Sequence, residues 1–218
     1  METIAPFASI DGGGKTITTF VVYQATERMA EMTEGDVLEL LTDAVEPFEA
    51  DIEAWCGTTG HRLLASEQTV AELRFLIEKG PEQANDSRLA MVISADGLDG
   101  LLSPLGFALA AALEGIDVRV YFQGPAVRVL TRGFHPKLHG WARPFSRFAA
   151  AGMNKAGHIP AQEKLEQIRS LGGRLYVCGG SLQPFKVRRQ DLIFDDLPIV
   201  EYFTFMAIME QAEIQIYV

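Results

Sequence analysis

Apolar positions along this chain come in short runs, and their period changes at a polar stretch, Gly80-Pro-Glu-Gln-Ala-Asn-Asp-Ser87. Before that stretch the pattern is mixed. Phe7 to Asp11 predicts a strand followed by a glycine loop. Phe20, Val21, Met29 and Met32 fit one face of a helix with Thr18 or Thr19 as its N-cap, although the β-branched run Ile17 to Tyr23 also suits a strand. A turn at Gly35-Asp36 leads into a strand ending at Asp43. Pro47 to Thr59 predicts a helix stopped by Gly60, and His61 to Ala65 and Leu73 to Glu78 predict two further strands.

After the polar stretch, strand and helix patterns alternate, which argues for a parallel sheet covered on both faces. Leu89 to Ser94 reads as a buried strand, Leu105 to Glu114 as a small-residue helix closed by Gly115, and Val118 to Phe122 as the next strand. Pro160 opens a helix with Leu165, Ile168 and Leu171 inward and Gly172 at its end. The strand Arg174-Leu-Tyr-Val-Cys178 follows, then a short strand at Pro198 to Tyr202, a helix from Phe203 to Gln211 and a closing strand from Glu213 to Val218. The predicted organisation is an α+β module over residues 1–80, a linker at 81–87 and a doubly wound α/β domain over 88–218. In such sheets ligands bind beyond the carboxyl ends of the strands, where Ser94, Gln123 and Cys178 would gather.

Charge sharpens this division. Residues 1–80 carry 15 acidic and 5 basic side chains, whereas residues 81–218 carry 14 of each. Within the neutral part, residues 131–160 hold Arg132, Lys137, Arg143, Arg147 and Lys155 and no acid. That asymmetry suggests electrostatic docking within the chain, onto another subunit or onto an acidic partner. Residues 131–160 also lack clear periodicity, and loops of that length in compact domains are usually functional or disordered. A lid is the role expected of them. No apolar run approaches the roughly 18 residues of a membrane span, and Met1-Glu2-Thr3 lacks the basic start of a signal peptide. Two cysteines, Cys56 and Cys178, make neither a disulfide framework nor a zinc site. A reducing, cytoplasmic setting is the expectation, with no cofactor, no bound metal and no nucleic-acid partner.

Cys178 is the main chemical candidate. A strand that stops on a thiol and turns through Gly179-Gly180-Ser181 sets the sulfur at a sheet's rim, open to solvent. Ser181 would cap the next segment, whose backbone N–H groups would favour the nucleophilic thiolate. Arg188, about two helical turns on, is a candidate to stabilise it, as readily as to sit on an exposed face near Asp191 and Asp195. A buried cysteine serving as a small apolar residue is an equal alternative. Position 184 is Pro, not the Arg of a phosphatase loop. Gly12-Gly-Gly-Lys15-Thr16 lacks the leading glycine of a phosphate loop, since Ser9 stands there; a mobile loop is expected instead. His135 and His139 are spaced as metal ligands on a helix would be, but Pro136 intervenes and no third ligand matches. With Lys137 and Arg143 they form a candidate lid or anion-binding set.

The stretch from Leu89 to Val218 resembles the DsrE/DsrF-like family of sulfur-relay proteins. The resemblance is carried by Ala-Leu-Ala-Ala-Ala-Leu-Glu-Gly-Ile-Asp-Val-Arg-Val-Tyr-Phe122, by Leu-Gly-Gly-Arg-Leu-Tyr-Val-Cys178-Gly-Gly-Ser, and by the closing Glu-Ile-Gln-Ile-Tyr-Val218. It implies a flavodoxin-like fold, homo-oligomers, and a persulfide-carrying cysteine matched by Cys178. Residues 131–160 match only as a variable insertion. The first module is similar to the TusA/SirA-like family through Met29 to Asp43, Asp51 to Leu64 and Arg74 to Lys79. That family carries sulfur on a Cys-Pro-x-Pro motif at the start of its first helix, where this chain reads Thr16-Ile-Thr-Thr-Phe-Val21. The resemblance therefore implies a first module unable to carry sulfur by that family's route, with Cys56, on a later helix, structural.

Two functions compete. In one, Cys178 accepts a sulfane sulfur from a donor protein and passes it to an acceptor, a possible sulfurtransferase activity, with the first module as a docking or regulatory surface. In the other, the chain is a non-catalytic adaptor built from degenerate carrier modules. A flavin-binding flavodoxin-like protein ranks third, because no phosphate-loop sequence follows Ser94.

Overall fold

The computed structural model describes residues 5–14, 18–43, 47–70, 72–81, 85–138, 140–155 and 157–218. Two separate sheets organise it. The first contains β1 (Ala8–Asp11), β2 (Val37–Asp43), β3 (Arg62–Gln68) and β4 (Glu72–Glu78), in the order β1-β2-β4-β3. β1 and β2 are parallel, and the other pairs are antiparallel. Along β2 every second residue is buried, the period of a strand with one face on a core.

That core is completed by α1 (Thr18–Ala30) and α2 (Pro47–Thr59). The ambiguous stretch is helical. Val21, Val22, Ala25 and Met29 are buried at helical spacing, and that burial outweighs the strand preference of the β-branched run. Phe20 is only half-buried, so the inward stripe passes through Val22 instead. α2 buries Phe48, Ile52, Trp55 and Cys56 and stops where Gly60 takes φ 81°, the left-handed exit glycine adopts without strain.

The second sheet is wholly parallel: β5 (Arg88–Ile93), β6 (Asp117–Phe122), β7 (Arg174–Cys178), β8 (Ile199–Val200) and β9 (Ile214–Tyr217), ordered β8-β7-β6-β5-β9. Leu89 to Ile93 are all buried, as expected of a central parallel strand covered on both faces. Its helices are α3 (Leu98–Leu113), α4 (Ser146–Lys155), α5 (Ala161–Ser170), α6 (Gly179–Leu182) and α7 (Tyr202–Met209). This is the expected doubly wound, flavodoxin-like arrangement.

Two elements depart from the expectation. α3 begins at Leu98 and runs through Pro104, because Leu101, Leu105, Ala108, Leu109 and Ala112 are all buried and hold the helix across the missing N–H. Residues 131–160 are not structureless: a 3₁₀ turn at Gly140–Phe145 leads into α4. Of α4 only Ser146 is buried, so no inward apolar stripe existed to reveal the helix. Among the described residues no helix is long and apolar enough to cross a membrane.

Candidate functional site

β7 ends on Cys178, and α6 starts at the next residue without a loop. Cys178 keeps extended backbone angles (φ −69°, ψ 114°) as the N-cap of α6. The thiol is at the carboxyl edge of the sheet, but it is not open to solvent: Cys178 is 0% exposed. Strands β6 and β8 flank its strand, Cys178 pairs with Val200 in β8, and α7 follows β8 directly. The sequence showed the rim and not its cover.

The expected electrostatic supports are also differently placed. α6 has four residues, a single turn, too short to lend the dipole of a full helix. Ser181 is its third residue and makes no cap. It is buried, and its Oγ accepts the Gly124 N–H at 2.8 Å, tying α6 to the end of β6. Arg188 places its guanidinium on Asp191, with Nε and Nη2 each 2.8 Å from a carboxylate oxygen. Its charge is answered there, and it holds the Asp191 carboxyl below the usual range.

What surrounds the thiol instead is a set of tyrosines that sequence reasoning missed. Tyr121 is 1% exposed, and its ring stacks on Phe205 of α7 with centroids 4.6 Å apart. Burial, with Cys178 beside it, pushes the Tyr121 phenol well above the usual tyrosine range. Its buried hydroxyl makes no well-formed hydrogen bond among the described residues, and its polar neighbour is the Cys178 sulfur. Tyr202, the first residue of α7, is raised chiefly by Cys178, then by partial desolvation. Both phenols thus stay protonated near neutral pH. A signal was present: Tyr121 pairs with Tyr176, two residues before Cys178, so all three share one face of the sheet.

The two glycines have a tangible role. A Cβ on Gly179 would lie 2.5 Å from Glu201 Oε1, and one on Gly180 would lie 3.5 Å from Glu201 Oε2 and 4.0 Å from Cys178 Sγ. The absence of side chains lets the Glu201 carboxylate rest against this turn.

The lid set lies elsewhere. His135, Lys137 and Arg143 line a cavity of about 660 Å³ together with Arg128 and Arg132, and Cys178 is not part of its wall. His139 lies outside the described residues. Of the glycine loop, Gly13 N–H donates to Asp11 Oδ1 (2.8 Å) and Gly14 N–H to Asp43 Oδ2 (2.9 Å). Amides already given to carboxylates are not a phosphate cradle. Lys15 to Ile17 lie outside the described residues. Cys56 is buried in α2, and burial, with Glu53 nearby, pushes its thiol up to about 12.

Comparison with known proteins finds two families along the chain. Residues 21–79 match the family model described as Sulfurtransferase TusA, and residues 87–217 match that of the DsrE/DsrF-like family. A Bacillus subtilis (strain 168) protein described as "Putative sulfur carrier protein YrkF" is 34% identical over 67 residues, 30% of this chain, and the chain spans only 35% of that protein's length. Among solved structures, the ychN protein from E. coli aligns over 61% of this chain and 99% of its own, at 13% identity and a TM-score of 0.43. The chain belongs to the DsrE/DsrF-like family, joined at its N-terminal side to a TusA-type module.

Proposed function

We propose that this protein works in sulfur relay, carrying a sulfane sulfur as a persulfide on Cys178. In the transfer step the Cys178 sulfur attacks the outer sulfur of a donor persulfide. The donor S–S bond breaks, a new S–S bond forms on Cys178, and the donor leaves as a thiol that takes up the cysteine proton. No electrons are gained or lost overall. The reverse logic hands the sulfur to an acceptor thiol. The observation that carries this reading is the placement of Cys178 at the carboxyl end of β7 in a DsrE/DsrF-like domain, with Tyr121 and Tyr202 as neighbours. Its complete burial means that loading requires a displacement of the residues packed over it, a role this reading gives to the start of α7. The TusA-type module, which has no cysteine at the start of its first helix, is the docking surface for donor or acceptor proteins.

Burial of Cys178 favours a second reading, a non-catalytic adaptor. Incubation with a small persulfide donor, digestion and peptide mass measurement separates the two. The carrier reading expects one added sulfur atom on the Cys178 peptide, removed by a competing thiol. An unmodified peptide, with partner binding intact in Cys178→Ser protein, leaves the adaptor.

A further inference from the structure

We propose that the basic cavity outside the end of β5 is a binding site for a small organic polyanion, independent of Cys178. Its position follows from the topology. β5 and β6 are adjacent parallel strands, and the segments that follow their carboxyl ends form the cavity walls. In doubly wound sheets, the crevice beyond the carboxyl ends of such strands is where ligands bind. Asp96, three residues past β5, lines this cavity, and the opposite wall comes from residues 128–143.

The wall is anchored. Arg132 N–H donates to Asp191 O (2.8 Å), Ile193 N–H to Leu130 O (2.8 Å) and Leu98 N–H to Lys137 O (3.0 Å). The buried Ser146 hydroxyl accepts the Leu138 N–H at 2.9 Å and donates to Arg143 O at 2.6 Å, fixing the turn that carries Arg143.

Four permanent cations converge on this space. Arg128 is paired with Asp96 at 2.5 Å and Arg132 with Asp195 at 3.0 Å. Lys137 and Arg143 have no ion pair among the described residues. A volume of about 660 Å³ is within the range of pockets that enclose organic ligands and far exceeds one oxyanion. Phe134 supplies an aromatic wall beside the cations. The chemistry that fits is a flat organic body bearing at least two adjacent anionic groups, bound through the Lys137 ammonium and the Arg143 guanidinium.

Calorimetric titration of the full chain with ADP, inorganic pyrophosphate and adenosine tests this assignment. ADP is expected to bind one to one and to weaken as salt rises. Pyrophosphate should bind more weakly, and adenosine not at all. Lys137→Ala with Arg143→Ala should lower ADP affinity by at least about tenfold, with circular dichroism unchanged because both side chains are exposed. Cys178→Ser protein should bind ADP like the wild type, so failure here leaves the sulfur reading standing. Absence of ADP binding at millimolar concentration, or ADP binding that survives the double substitution, overturns the proposal.

Discussion

At the scale of single residues, the chemistry turns on which groups can meet a sulfur anion. Cys56 is excluded by its environment: with its thiol pushed up to about 12, almost no thiolate exists near neutral pH. Alkylation of native protein at pH 8, followed by peptide mapping, should therefore mark Cys178 ahead of Cys56, and slowly in both cases because both are buried. Tyr121 offers a cleaner separation of roles. Its hydroxyl is buried without a well-formed hydrogen bond among the described residues, so Tyr121→Phe removes a desolvated polar atom and should change stability by less than about 1 kcal/mol in urea melts. The same substitution removes the hydroxyl that neighbours Cys178 and should shorten the lifetime of a persulfide there. An unchanged lifetime would show that the phenol does not serve the sulfur.

At the scale of elements, α7 is the part proposed to govern access to Cys178. Tyr202 is its first residue, and its buried Phe205 stacks on Tyr121 and meets Tyr176 edge-on at 5.6 Å. Phe205→Ala should cost about 3–5 kcal/mol and loosen that cover, so the protein that remains folded should alkylate faster at Cys178. A slower or unchanged rate would place the gate elsewhere. At the opposite, amino-terminal end of the sheet, Asp117 accepts hydrogen bonds from Arg119 (2.8 Å) and Arg88 (3.1 Å), which hold its carboxyl below the usual range. Stability from a depressed carboxyl is fully present above its ordinary unfolded value and is lost as pH falls through the lower native one. Asp117→Asn should therefore lower stability at neutral pH and flatten the acid limb of a stability–pH curve. In the first sheet's unit, Gly80 has no room for a side chain: a Cβ would lie 1.8 Å from the Gly60 carbonyl oxygen. Gly80→Ala should unfold that unit first, seen as early loss of protection in its strands by hydrogen exchange.

For the whole molecule, the alternation of strands and helices after residue 87 was legible because burial on both faces leaves continuous apolar runs, and the family resemblance rested on those same runs. The site was legible only in part. Cys178 and its two glycines stand out in sequence, but the burial of the thiol is a tertiary fact that no local pattern encodes. The helix at Ser146–Lys155 escaped because its apolar residues face outward: Phe148 is 79% exposed. The outward aromatic residues of α7, with Phe203 93% exposed, and the unpaired outer side of edge strand β9 suit association with another chain. Light scattering is expected to give an assembly larger than a monomer, reduced by Phe203→Asp. Sulfur movement itself is the most direct test of the account. A donor labelled in its sulfane sulfur should pass label to Cys178, and then to an added acceptor thiol, in wild-type protein and not in Cys178→Ser. Label that never reaches Cys178, even when Phe205→Ala has opened the site to alkylation, would contradict it.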